Sequence, residues 1–176
     1  MRDRQREFGE AYSRYADELF RHCSLRIKDR ERALDLTQET FMKAWAFIER
    51  GGEVREVRPF LYRTLRNLII DEYRKIKPHS LEAMIENEDV SVEVLLPADE
   101  TNTLEAAIDR FEGAHALEVL NTLPEPYKEV LLLRYVSGFS PSEIATELGE
   151  SENAVSVRIH RGLKKMRKLL EEENGI

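Results

Sequence analysis

Between Val155 and Leu170 the chain reads VSVRIHRGLKKMRKLL, which carries Arg158, Arg161, Lys164, Lys165, Arg167 and Lys168 and no acid. Cations at that density attract nucleic-acid phosphate, because each contact releases a condensed counterion. On a helix they form a row suited to lie against a major groove. A solvated basic face on an ordinary surface helix is the alternative. A second set lies upstream: Arg58, Arg63, Arg66, Asn67, Arg74 and Lys75, interleaved with Phe60, Tyr62 and Tyr73. Single-stranded nucleic acid needs that combination of a charged track and stacking surfaces. Many amphipathic helices also carry tyrosine and arginine on one side, so this set decides little alone. Bond-making chemistry finds no support, since no metal cluster, nucleophile motif or phosphate loop is present. His22 and Cys23 are adjacent, a poor spacing for helical metal ligands, and are expected to be structural.

The basic row follows a well-marked pair of helices. Ser140 stands three residues before Glu143 with Pro141 between them, a capping box with proline in the first helical position. Ile144, Ala145 and Leu148 give an apolar face, and Gly149 can adopt the left-handed conformation that ends a helix. Ser151 can cap the next helix, whose apolar positions are Val155, Ile159, Met166 and Leu169 or Leu170. Cap, turn glycine and basic run coincide in the order of a helix-turn-helix, and that order favours DNA binding over the solvated face.

Further elements follow from apolar periodicity. Residues 4–28 predict a helix with Phe8, Tyr12, Tyr15, Leu19, Cys23 and Ile27 as core. After a charged turn from Asp29, a second helix runs to about Ile48 and buries Leu34, Phe41, Ala44, Trp45 and Ile48. Its other side offers Asp35, Gln38, Glu39 and Lys43, a solvated face or a partner surface. Gly51 and Gly52 end it, and a third helix, about Arg58 to Ile76, buries Leu61, Leu65, Leu68, Ile69 and Tyr73. Helical pattern resumes near Leu104 and continues to Leu123. From Pro126, PYKEVLLLRYVSG predicts a helix whose Val130, Leu131, Leu132, Leu133 and Val136 form the core under the helix-turn-helix.

Charge divides the chain more sharply than hydropathy does. Residues 1–77 hold 18 basic and 14 acidic side chains, residues 78–126 hold 1 and 12, and residues 127–176 hold 8 of each. The overall charge of −7 argues against a generic nucleic-acid binder, yet basic-faced segments flank an acidic connector. Residues 78–103 have too little apolar surface to offset ordering entropy and read as a linker, with Val90, Val92, Val94, Leu95 and Leu96 available to dock on a partner. Cys23 is the sole cysteine, which excludes an intrachain disulfide and suits a reducing, cytoplasmic setting. No apolar run approaches the roughly 20 residues of a membrane span, and no signal peptide is evident. The expected fold class is all-α: a domain over 1–77, an acidic linker over 78–103, and a helix-turn-helix domain over 104–176.

Three stretches then carry a resemblance. DLTQETFMKAW (35–45), FLYRTLRNLIIDEYRK (60–75), and LPEPYKEVLLLRYVSGFSPSEIATELG with AVSVRIHRG resemble, in order, segments of bacterial RNA polymerase sigma factors of the extracytoplasmic-function type. The resemblance implies an initiation factor with no catalytic chemistry, cofactor or metal of its own. It implies docking on the largest-subunit clamp helices through Asp35, Gln38, Glu39, Phe41 and Lys43, a contact with the polymerase flap, and an anti-sigma partner. It further implies that Phe60, Arg63, Arg66, Asn67, Arg74 and Lys75 melt and hold the −10 element, with a flipped base near Asn67. Ser156, Val157, Arg158, His160, Arg161 and Lys164 would meet the −35 element, with Arg158 and Lys164 on phosphates. Phe60 stands where the family most often has tryptophan. Ala154, Ser156, Val157 and Leu163 also depart from frequent residues, which bears on the promoter sequence and not on the fold. A free-standing repressor or activator would need a ligand or dimerisation module in the first domain, and DLTQETFMKAW resembles neither. A DNA-acting enzyme such as a recombinase has only the helix-turn-helix in its favour.

Overall fold

The computed structural model describes residues 2–76 and 113–173. The chain divides into two compact units, residues 1–87 and 88–176. All regular structure among the described residues is helical. The expected linker and the expected helix start near Leu104 lie outside the described residues.

The first unit packs three helices against one another: α1 (Arg2–Ser24), α2 (Arg30–Glu49) and α3 (Val57–Ile76). Leu19, Cys23 and Ile27 meet Leu61, Leu65, Leu68 and Ile69 in a fully buried core. Asp29 caps α2 by accepting the Arg32 N–H at 3.1 Å. Gly51, at φ +89°, lets the chain turn away from the end of α2.

The register of α2 differs from the expected stripe. Leu34 is 46% exposed, and the inward positions are Ala33, Leu36, Thr37, Thr40, Phe41 and Ala44. Two of these are threonines whose hydroxyls donate to the carbonyls of Ala33 and Leu36, at 2.8 and 2.7 Å. A buried hydroxyl satisfied within its own turn behaves as a small apolar group. Trp45 and Ile48 are only half-buried, and Tyr12 of α1 is exposed.

Ion pairs tie the three helices together. Arg32 of α2 grips Glu72 of α3 with two bonds, Nε at 2.8 Å and Nη2 at 2.6 Å. The bond to Arg32 holds Glu72 below the usual carboxylate range. Glu18 of α1 accepts from Arg58 Nε at 2.9 Å and from the Tyr62 hydroxyl at 2.8 Å. Tyr73 donates to the Arg26 carbonyl at 2.7 Å, which anchors the end of α3 to the α1–α2 turn.

In the second unit the helices are α4 (Gly113–Thr122), α5 (Glu125–Leu131), α6 (Pro141–Leu148) and α7 (Glu152–Glu173). The helix expected from Pro126 is not uniform: α5 widens into a π turn over Leu132–Val136, closed by Ser137 N–H to the Leu132 carbonyl at 3.0 Å. The extra residue carries the chain into Gly138, at φ +70°, and buries Phe139 completely, while Val136 is left half-buried. Phe139, Leu131, Leu132, Ile144, Val155 and Leu163 form the heart of this core. Gly162 lets α7 approach α5 closely, since a Cβ there would lie 3.2 Å from Leu131 and 3.3 Å from Tyr127.

Candidate nucleic-acid and partner interfaces

α6, the turn and α7 form the expected helix-turn-helix. Ser140 Oγ accepts the Glu143 N–H at 3.2 Å, and Glu143 accepts the Ser140 N–H at 2.7 Å, so both halves of the capping box are made. Gly149 closes α6 at φ +70°. Ser151 caps α7 through the Ala154 N–H at 3.1 Å. Val155, Ile159, Leu163, Met166 and Leu170 are buried against the rest of the unit, which fixes which side of α7 faces out.

At 100° per residue, Val157, Arg161, Lys164 and Lys168 lie within about 60° of one another, opposite that buried stripe. Lys168 is therefore part of the face although it is absent from the expected −35 set. Ser156 and His160 sit toward one edge, roughly 100–140° round from Arg161. Arg158 lies on the other flank and is engaged: its Nη1 and Nη2 reach Glu150 at 3.0 and 2.7 Å. Among the described residues neither Arg161 nor Lys164 has an ion-pair partner. The described residues thus leave two cations of this face available to another anion.

On α3, Arg63, Arg66, Asn67 and Arg74 share one side, with Phe60 at its start. Arg63, Asn67 and Arg74 are exposed and Arg66 half-buried. Lys75 sits off that side and reaches Glu72 at 3.8 Å. Tyr62, expected as a stacking surface, is 2% exposed, with its ring edge-on to His22 at 5.1 Å. Burial removes it from any base-stacking track, and Tyr73 is held by its bond to Arg26. The aromatic surface here is instead Phe60 with Phe47, whose ring centroids are 5.2 Å apart. Phe47 is 45% exposed, and its ring covers Gly52 so closely that a Cβ there would come within 2.3 Å. Sequence reading missed Phe47; the signal was an aromatic residue one helical turn before the Gly51–Gly52 pair.

The outer face of α2 presents Asp35, Gln38 and Lys43 exposed and Glu39 half-exposed, with Lys43 bonded to Glu39 at 3.2 Å. At its centre stands Met42, 71% exposed. Phe41, expected among the docking residues, is 4% exposed and packs against Phe8 and Tyr12 with centroids at 6.1 and 4.7 Å. It supports the helix from beneath and offers no contact surface. His22 and Cys23 are core groups: burial, then Arg26, lowers the His22 pKa to about 3, and burial raises that of Cys23 to about 11. Among the described residues no cluster of His, Cys, Asp and Glu could hold a metal.

Known proteins match along both units. Residues 11–78 match Sigma-70 region 2 and residues 116–166 match Sigma-70, region 4. The chain is 33% identical to the ECF RNA polymerase sigma factor SigL of Mycobacterium tuberculosis, over 92% of this chain and 87% of that one. The chain belongs to the ECF sigma factors. It is 30% identical to SigW of Bacillus subtilis, over 94% of this chain and 90% of SigW. Among solved structures, CnrH in complex with the cytosolic domain of CnrY has a TM-score of 0.67 at 26% identity, covering 96% of this chain and 90% of CnrH. The Bartonella quintana sigma factor RpoE, solved with the anti-sigma factor NepR, has the same TM-score of 0.67 at 22% identity, with 94% and 97% covered, and shares the fold. The sigma factor described here is therefore a transcription-initiation factor that binds core RNA polymerase and directs it to promoters. No helix among the described residues is long and apolar enough to cross a membrane.

Proposed function

We propose a division of labour between the two units. Residues 1–77 dock on the clamp helices of core polymerase through the outer face of α2, and hold the melted −10 strand along α3. Asn67 captures an extruded base between Arg63 and Arg74, and the Phe47–Phe60 pair supplies the stacking surface. Residues 104–176 place α7 at the −35 element and meet the polymerase flap, with residues 78–103 as the linker between them. The factor contributes no bond-making step and works in the cytoplasm, where the polymerase carries the chemistry. CnrH and RpoE were solved with partners bound, one of them an anti-sigma factor, and we extend that mode of control to this chain.

One observation carries the docking assignment. Met42 is the most exposed large apolar residue described, and it stands within a patch of Asp35, Gln38 and Glu39. An apolar side chain left in water and rimmed by polar groups is the usual form of an interface anchor. The test is a pull-down of core polymerase beside a thermal melt. Asp35→Ala with Gln38→Ala should weaken association and Met42→Ala should weaken it by a comparable amount, all with unchanged melting. Undiminished binding by both variants would show that this face is merely solvated.

A further inference from the structure

The residue after the turn glycine, Glu150, is tied to both helices of the helix-turn-helix. Its N–H donates to the Ala145 carbonyl of α6 at 3.0 Å. Its carboxylate accepts from Arg158 of α7 with both oxygens, Nη1 to Oε1 at 3.0 Å and Nη2 to Oε2 at 2.7 Å. Two parallel bonds between a planar guanidinium and a carboxylate are the strong, directional form of an ion pair. These side chains are 24% and 31% exposed, against 52–76% for Arg167–Glu171 and Lys168–Glu172 farther along the same helix. Mostly exposed pairs of that kind contribute little. The Glu150 pair is better held, because the end of α6 already fixes the Glu150 backbone and little freedom is lost in forming it. A negative charge just ahead of the first turn of α7 is also favoured by the open N–H groups there.

We infer that Glu150 is a positioning residue for promoter recognition: it holds Arg158 as an internal substitute for phosphate and keeps that cation off DNA. The inference rests on the assignment of α7 to the −35 element. It departs from the phosphate contact that the family resemblance implies for Arg158. Arg158 stands only about 60° round the helix from Arg161, so once freed it joins the base-reading side. To do so in the parent it must give up two short bonds. It would also leave a bare carboxylate facing the phosphates, a like-charge contact. A free cation at this edge strengthens binding to every sequence alike, since phosphate contacts carry no sequence information. Held by Glu150, Arg158 adds no such affinity, and the clasp limits sequence-independent binding beside the residues that read bases.

The full chain is loaded on core polymerase, and closed-complex affinity is measured against salt for a promoter fragment and for one with a scrambled −35 element. Arg158→Gln should leave the log–log salt slope at the parent value. Glu150→Gln, which keeps the shape of the side chain and removes its charge, should steepen the slope by roughly 0.9, the value for one added phosphate contact. It should strengthen binding to both fragments by the same factor. Glu150→Gln with Arg158→Gln should return the slope to that of the parent. Helical circular dichroism checks that all three variants are folded at the temperature used. A slope lowered by Arg158→Gln alone overturns the inference, because Arg158 then leaves Glu150 for phosphate in the parent. An unchanged slope in folded Glu150→Gln also overturns it, because Glu150 then withholds nothing. A parent that binds both fragments equally would instead sink the α7 assignment, and the role of the clasp with it.

Discussion

His22 shows how far a single group can be taken from water, with Tyr62 edge-on to its ring and the Arg26 charge nearby. Unfolded, it takes up a proton near pH 6.5; folded, only near about 3. Between those values the unfolded chain binds more protons, so stability falls as pH falls, by up to about 1.4 kcal/mol per pH unit. The Glu72 carboxylate, whose pKa is also lowered by folding, adds a loss of the same sign only below its unfolded value of 4.5. Urea unfolding between pH 6.5 and 5 therefore isolates His22. The parent should lose stability across that range, whereas His22→Asn should be nearly flat; a flat parent would mean that the ring is hydrated. On α7 two neighbouring cations should separate by kind. If α7 meets the −35 element as proposed, Arg161→Ala should remove a base contact, costing about 1–3 kcal/mol, and relax preference at one position. Lys164→Ala weakens all sequences alike and lowers the salt slope by roughly one. Binding curves on single-base-pair −35 variants at several salt concentrations distinguish the two, and equal loss of preference in both would reject the assignment.

Among the elements, the helix-turn-helix depends on local bonds that can be removed singly. Ser140→Ala deletes one half of the capping box and should destabilise its unit by about 1 kcal/mol. The only tryptophan, Trp45, lies in α2, so its fluorescence follows the first unit alone. The helical circular-dichroism transition should shift to lower urea while the Trp45 transition stays in place. Movement of both would mean that the units unfold together. The same locality explains what could be read from sequence. Ser140 with Glu143, Gly149 and Ser151 act within a few residues, and the stripe Leu61, Leu65, Leu68 and Ile69 is unbroken, so the helix-turn-helix and the core of α3 were legible. The register of α2 was not, because Ala33, Thr37 and Thr40 fill the interior and a pattern of large apolar residues turns Leu34 inward instead. The π turn was equally hidden, since Ser137 bonds to Leu132 only to bring Phe139 into a core that the local sequence does not define. Phe41 and Tyr62 have the composition of contact residues, but partners on α1, tens of residues away, bury them.

At the scale of the whole molecule, the proposed division of labour turns cations of both units toward DNA, while residues 78–126 hold twelve acids and one base. Such a connector repels duplex DNA, so the free chain should bind promoters weakly until polymerase takes up the connector. The two DNA contacts then serve different steps. In the proposed arrangement Arg161 and Lys164 meet a duplex, so their loss should weaken the closed complex. Asn67 is exposed on α3, and its amide both donates and accepts, which suits a base edge. That edge becomes available only after unstacking, which costs a few kcal/mol. Asn67→Ala should therefore leave closed-complex affinity close to the parent value and reduce opening, and Phe60→Ala should do likewise by removing the stacking surface. Gel-shift of the closed complex and permanganate reactivity of −10 thymines measure the two steps separately. A premelted promoter bubble sharpens the test: with the unstacking energy already supplied, part of the opening defect of Asn67→Ala should disappear, while the defect of Lys164→Ala should persist. If Asn67→Ala opens duplex promoters as fully as the parent, the base is held elsewhere on the first unit.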